Sequence, residues 1–473
     1  MKDLNSSRRK SAIAVIAVML ALIAVLPLVL ITSALLPAQF DETFLGEMRY
    51  KMERLKSTEG KRIIVIGGSS VPFALKSEIV QEYIEGYEVV DFGMYADLGT
   101  TVMFDFAKAN IRKGDIVIVS PEQSAQTLST HFSGEHFWQC ADGDFSLFRY
   151  LSSERKERAA LAFPSFAGKK LYYAANGKPT TDGVYKRSAF NEYGDISYPD
   201  REYNVMPDGY NPNLAISFDI DIVDNDFISE LNSFAAFTKS KGADIYYRFA
   251  PVNVLAMEQG TTKADIDAYY DSLLSMLNFD IMGNPHRSVM EGGWFYDTNF
   301  HLNNSGAVVF TKALIEDIKL LLGDSTPTDI ALPAMPKAPD ASVYDGDNSH
   351  AHLFTYREQG NGYVISGIKS DIERNLILPC AYEGKPIIGV DENVLCHLNV
   401  TSVTIQPNIR LLRDGMFNGC ASLERVILTG APTDYTVGNN FRLGASFNIQ
   451  VPEGLVASYK LNYSWQMYAR YIV

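Results

Sequence analysis

Two short stretches of the chain combine residue types that can carry out nucleophilic chemistry. In Gly67-Gly68-Ser69-Ser70, a serine follows two glycines at the end of the apolar run KRIIVIGG. Glycines let the backbone turn sharply and leave amide groups free to face an anion. A serine at that point is either a nucleophile or the N-cap of the next helix. The second stretch is Phe295 to Gly306, FYDTNFHLNNSG, with Asp297 upstream of His301. A carboxylate on one ring nitrogen and a hydroxyl on the other turn an imidazole into an oriented general base. A lone histidine in such a place is more often a packed, hydrogen-bonded residue. The chemistry open to the three side chains together is acyl transfer through a serine ester.

The elements around these residues alternate. KRIIVIGG (61–68) reads as a buried parallel strand, YEVVDFG (87–93) as a second and DIVIVS (115–120) as a third. Helical patterns occupy about 73–86 and 99–111. Asp224 to Lys241 is a capped amphipathic helix stopped by Gly242, followed by the apolar run DIYYRFAPV (244–252) and helices at 263–277 and 304–322. Strands alternating with helices predict an α/β fold, a doubly wound, flavodoxin-like parallel sheet in three layers. In such sheets ligands bind beyond the carboxyl ends of the strands, where Ser69 stands. Residues 124–215, rich in Tyr, Phe, Gly and Asp, interrupt the rhythm as an insertion. Their aromatics, with Trp138, suit either a sugar-stacking cleft or a satellite core.

Composition narrows the function further. Lys and Arg number 42 against 56 Asp and Glu, a net charge of −14. A chain this acidic lacks the electrostatic footprint for nucleic acid. The seven histidines do not cluster at metal-ligand spacing, and no cofactor or metal is implied. Asp219, Asp221, Asp224 and Asp226 lack the glycine and terminal glutamate of a calcium loop and read as a helix start. Cys380 and Cys396 are either a disulfide or buried free thiols.

The serine block and the D…H block resemble the two ends of the SGNH (GDSL-like) hydrolases, in their membrane-anchored branch that modifies surface polymers. The resemblance spans about 260 residues, with specific motifs at its two ends. It implies Ser69 as nucleophile, His301 as base and Asp297 as its partner. Here the Asp lies four residues before the His rather than three. DFGMYADLGTT (91–101) resembles the block that supplies an oxyanion glycine, which points to Gly99, with Gly93 as the alternative. The family's third block carries an Asn after the third strand. This chain has Ser120-Pro121-Glu122-Gln123 instead, which leaves Gln123 as the candidate amide donor or gives Glu122 some other task.

The ends of the chain set its expected location. Residues 12–36 carry no charge, long enough for a membrane span of ~20 residues. Lys2, Arg8, Arg9 and Lys10 precede it, so the positive-inside rule places residues 1–11 in the cytoplasm and the bulk outside the plasma membrane. A long cleavable signal is the alternative. Residues 37–58 read as a stalk, 59–323 as the hydrolase-like domain, 324–349 as a proline-rich linker and 350–473 as a β-rich tail.

That tail repeats. VDENVLCHLNVTSVTI (390–405) aligns with RDGMFNGCASLERVIL (413–428), so that Val403 meets Val426. A period in the twenties with one strand per unit is leucine-rich-repeat spacing. With LILP, GKPIIGVDENV and the closing VPEGLVASYKLNYSWQMYARYI, it resembles the BspA-like repeats of bacterial surface proteins. That implies a surface-binding module for a protein or glycan ligand. Two functions follow as expectations. One is an extracellular, membrane-anchored serine esterase or acyltransferase acting on acylated surface polysaccharide or a teichoic-type polymer. The other is a catalytically inactive adhesion or scaffold protein.

Overall fold

The computed structural model describes residues 27, 29–179, 183–198, 201–206, 209–336, 346–359, 362–369, 372–391, 393–438 and 441–473. The expected membrane span falls largely outside them. Among the described residues no helix is long and apolar enough to cross a membrane. The chain divides into two compact units, 1–336 and 337–473.

The first unit is mixed α/β. Its strands are β1 (Lys61–Gly67), β2 (Tyr87–Gly93), β3 (Ile116–Ser120) and β4 (Asp244–Tyr247). They form a parallel sheet in the order β2-β1-β3-β4. Every second residue goes to one face. Ile64, Ile66, Val90, Val117 and Val119 join one core, and Ile63, Val65, Val89, Ile116 and Ile118 join another. Both faces are therefore covered, which is why the centres of these strands are largely apolar. Because β1 is central, with β2 and β3 on opposite sides, the chain leaves its carboxyl end where connections diverge, and Ser69 follows at once.

Residues 37–58 are not a free stalk. Helix α1 (Met48–Ser57) buries Met48, Lys51, Met52 and Leu55, while Phe40, Phe44 and Leu45 join the same core as Ile64. Lys51 is buried because its ammonium bonds Asp91 Oδ1 at 2.9 Å and the Gly194 carbonyl at 2.7 Å. The helix expected over 73–86 is two pieces, α2 (Ser70–Ala74) and α3 (Ser77–Tyr83). The break is held by Asp195, whose carboxylate accepts the Ser77 amide and hydroxyl at 2.7 and 2.6 Å. On the far side of the sheet lies α4 (Thr100–Lys108).

The insertion's aromatics around Trp138 are packed into the same core as Ile64. Helices α5 (Gly134–Cys140) and α6 (Ser153–Asn176) enclose Trp138 among Phe137, Phe148, Phe163 and Phe166, with the indole donating to the Ala159 carbonyl. Asp224 caps α7 (Asn225–Ser240) by accepting the Asp226 amide, so the acidic stretch is spent on a helix start. Helix α8 (Lys263–Met276) follows, and α9 (Asn304–Leu322) closes the unit. Residues 324–336 of the expected linker stay with this unit, where Ile330 packs beside the α9 core.

The second unit carries strands β5 (Phe354–Gln359), β6 (Gly362–Ile368), β7 (Asn375–Ile377), β8 (Lys385–Val390), β9 (Ser402–Ile405), β10 (Arg425–Leu428) and β11 (Asn448–Gln450). The last of these stack in parallel in the order β11-β10-β9-β7. Their register pairs Ser402 with Arg425 and Arg425 with Asn448, so the 23-residue sequence offset is the ladder spacing. At one end Trp465 is fully buried with Tyr459 and Tyr468. Cys380 and Cys396 are free thiols.

Candidate active site

The site is assembled from the end of β1, the end of β3 and the loop before α9. Ser69 has helical backbone angles at the head of α2, yet its side chain caps no amide. Its hydroxyl is free for other partners and lies 2.8 Å from His301 Nε2. His301 Nδ1 lies 2.9 Å from Asp297 Oδ1. A ring protonated at Nδ1 donates to the carboxylate and leaves Nε2 as the acceptor for the Ser69 proton.

The four-residue spacing of Asp297 and His301 follows from a tight turn. Thr298 Oγ1 accepts the amides of Phe300 and His301 at 3.2 and 3.1 Å, and Phe295 pairs with Leu302. Asn299 is buried and clamped to the Asn211 and Leu214 carbonyls. Asn303 caps α9 and also holds the Gly293 and Phe295 carbonyls. The turn is thus fixed at both ends, and the imidazole is placed rather than free to swing.

Neighbours outside the motifs complete the placement. Phe73 stacks flat on the His301 ring, 3.8 Å between centroids and 10° apart. Tyr185, from the insertion, donates its phenol to Asp297 Oδ2 at 2.6 Å. Burial and the adjacent Asp297 charge hold that phenol well above its usual range, so it remains a donor. Arg201 is fully buried, with its guanidinium over Phe73 and bonded to the Phe73 carbonyl. Burial draws it down to about 10, opposed by the Asp297 charge.

The expected oxyanion donors are not brought together. The Gly99 amide is used by the Ala96 carbonyl at 3.1 Å, and its positive φ of 110° and lack of side chain let the His131 carbonyl approach. The Gly93 amide goes to Asp91 Oδ1 at 2.9 Å. Gln123 turns away and donates to the Ser217 carbonyl at 3.0 Å. The residue that reaches Ser69 is its neighbour Glu122, buried, whose Oε1 accepts from Ser69 Oγ at 3.1 Å and from the Ser70 amide at 2.9 Å. A side chain on Gly68 would strike that same oxygen. The Ser69 amide itself has no partner among the described residues.

No family model matches the chain, and no curated protein matches it in sequence. Among solved structures, the X-ray structure of protein YXIM from Bacillus subtilis is similar at 10% identity and a TM-score of 0.27, over 56% of this chain and 57% of that one. At that level it carries no argument about function, which rests on the site.

Proposed function

We propose that the chain is a serine acyl esterase or acyltransferase of the SGNH type. The observation that carries this reading is the continuous chain of hydrogen bonds from Ser69 through His301 to Asp297 and on to Tyr185. His301 removes the Ser69 proton as Oγ attacks an ester carbonyl, and Asp297 stabilises the imidazolium that forms. The unengaged Ser69 amide receives the developing oxyanion. The imidazolium then protonates the leaving alcohol, and the acyl group passes to water or to a second hydroxyl.

The substrate reading is an acylated surface polysaccharide or a teichoic-type polymer. Residues 12–36 are the proposed anchor, with the N-terminus cytoplasmic. Already at Gln39 and Phe40 the backbone amides bond Asp142 of the insertion. A domain joined so directly to a membrane span works against the membrane face, where lipid-linked and wall polymers lie. The parallel ladder of the second unit suits the BspA-like repeat reading, a module for a surface glycan or protein.

The test is fluorophosphonate labelling of the full-length protein. Ser69 should carry the label, and Ser69→Ala should lose it without a change in melting temperature, since no helix amide depends on the hydroxyl. Labelling that persists in the variant moves the nucleophile elsewhere. Acyl release or transfer on isolated wall polymer, faster than on an aryl acetate, is the expected substrate preference.

A further inference from the structure

A cleft of about 440 Å³ lies between α1 and the insertion, and the chemistry at Ser69 gives it no task. Glu47, Tyr50 and Arg54 line it from the α1 segment, and Arg187, Asn191 and Tyr193 from the insertion. Its size falls within the ~300–1,000 Å³ of small-ligand sites. A water takes about 30 Å³, so one or two bound waters would leave it largely empty. Its aromatic walls are held by cations. The Arg187 guanidinium lies 4.6 Å from the centre of the Tyr50 ring, and that of Arg54 lies 4.7 Å from the centre of Tyr193. Arg54 is in turn anchored by donating to the Val89 carbonyl at 2.8 and 3.1 Å.

Buried polar side chains are normally paired within the fold. Glu47 is 4% exposed, yet its carboxyl makes no hydrogen bond and no ion pair among the described residues. Its oxygens are not sealed off, so they open on the cleft that the residue lines. Burial pushes this carboxyl up to about 7, against the pull of Lys51 and Arg187. Lys51 cannot serve it, because its ammonium is spent on Asp91 and the Gly194 carbonyl. The Arg187 side chain likewise has no hydrogen bond or ion pair among the described residues. Asn191 Oδ1 accepts the Tyr193 and Asp195 amides at 3.0 and 2.9 Å, which leaves its amide nitrogen without a partner there.

A buried acceptor and two open donors thus line one cleft without bonding to each other. An anion would meet Glu47, with Glu53 and Glu192 also on the lining. A simple cation would meet Lys51 and Arg187. A hydroxyl carries no charge and both donates and accepts. Neighbouring hydroxyls on one ring can therefore satisfy an acceptor and a donor that do not reach each other, which is the pattern a sugar offers. We propose that the cleft is a glycan-binding site of the first unit, in which one sugar hydroxyl donates to Glu47 and its neighbours accept from Arg187 and Asn191. The site goes beyond the reading of Ser69 as a nucleophile and does not depend on it. Arg187 stands two residues after Tyr185, which bonds Asp297, so the cleft and the triad draw on one stretch of the insertion.

Calorimetry of the full-length protein tests this, with neutral oligosaccharides released from isolated wall polysaccharide as the probe. Saturating oligosaccharide should raise the first unit's transition by several degrees, because a ligand that binds only the folded state stabilises it. Reading that transition separates the cleft from any binding by the second unit. Glu47→Leu and Arg187→Leu each lose a hydrogen bond to a charged group, and each should bind about tenfold more weakly. Without ligand, Glu47→Leu should melt no lower than wild type, since the carboxyl it removes is buried without a partner. A clearly lower transition for Glu47→Leu would show a structural carboxyl and overturn the inference. So would a wild-type transition that the oligosaccharide does not move, or one moved equally in both variants. A transition raised by free alanine and not by the oligosaccharide would assign the cleft to a zwitterion and overturn the glycan reading. Fluorophosphonate labelling of Ser69 is read in parallel. Its absence, with the oligosaccharide shift intact, would remove the acyl-transfer reading and support the cleft as a binding site in its own right.

Discussion

Replacing Lys51 by methionine tests whether α1 belongs to the core of the first unit. The substitution keeps most of the apolar stem and deletes an ammonium that is 1% exposed. That ammonium bonds Asp91 Oδ1 at 2.9 Å, the Gly194 carbonyl at 2.7 Å and the Asp91 carbonyl at 3.3 Å. Burial pushes the Asp91 carboxyl up to about 7, against the pull of Lys51 and with a push from Asp195. Its folded value thus lies above the ordinary 3.8, so the folded state holds a proton that the unfolded chain has lost. The stability this confers is present at low pH and is lost as pH rises towards 7. Without Lys51 the folded value climbs further. Near pH 5.5 Asp91 is largely protonated in both proteins, and the variant lacks only hydrogen bonds, about 1–2 kcal/mol. Above pH 7 the variant retains a proton that the wild type releases, so its deficit grows by up to about 1.4 kcal/mol per pH unit. At pH 8, one unit above 7, the total should therefore reach about 2.4–3.4 kcal/mol. At roughly 2 °C per kcal/mol, calorimetry should show the first unit's transition lowered by about 5–7 °C at pH 8 and about 2–4 °C at pH 5.5. A variant as stable as wild type at pH 8, or a deficit that does not change with pH, would refute the role of α1 in the core.

Two further outcomes follow. Tyr185→Phe removes the Asp297 Oδ2 hydrogen bond while keeping the ring, and should slow Ser69 labelling about tenfold, the value of ~1.4 kcal/mol from a bond to a charged group; an unchanged rate would mean that Thr298 and Phe73 alone position the base. Deleting residues 337–473 should leave a folded first unit with unchanged Ser69 labelling, since that unit is compact by itself; dye binding or aggregation of the truncated protein would show that the units depend on each other.

What the sequence disclosed and what it hid divide along one physical line. The strands at 61–67, 87–93 and 116–120 are legible because a sheet buried on both faces is filled mostly by apolar residues, with Arg62 and Asp91 buried there against Asp115 and Lys51. The ladder is legible because its register is itself a sequence interval, with Ser402 opposite Arg425. Ser69, Asp297 and His301 are legible because each sits in a local block whose chemistry is read from residue type. The failures are pairings that residue type does not encode. Lys51 reads as solvated until Asp91 is set beside it, and the helix therefore reads as a stalk, although Met48, Lys51, Met52 and Leu55 mark one helical face. Tyr185 reaches Asp297 across a sequence separation of 112. At the end of β3 the choice between Glu122 and Gln123 turned on donor chemistry, which favours the amide. Neighbouring residues leaving an extended strand point to opposite sides. That geometry sends the carboxylate to Ser69 and the amide to Ser217.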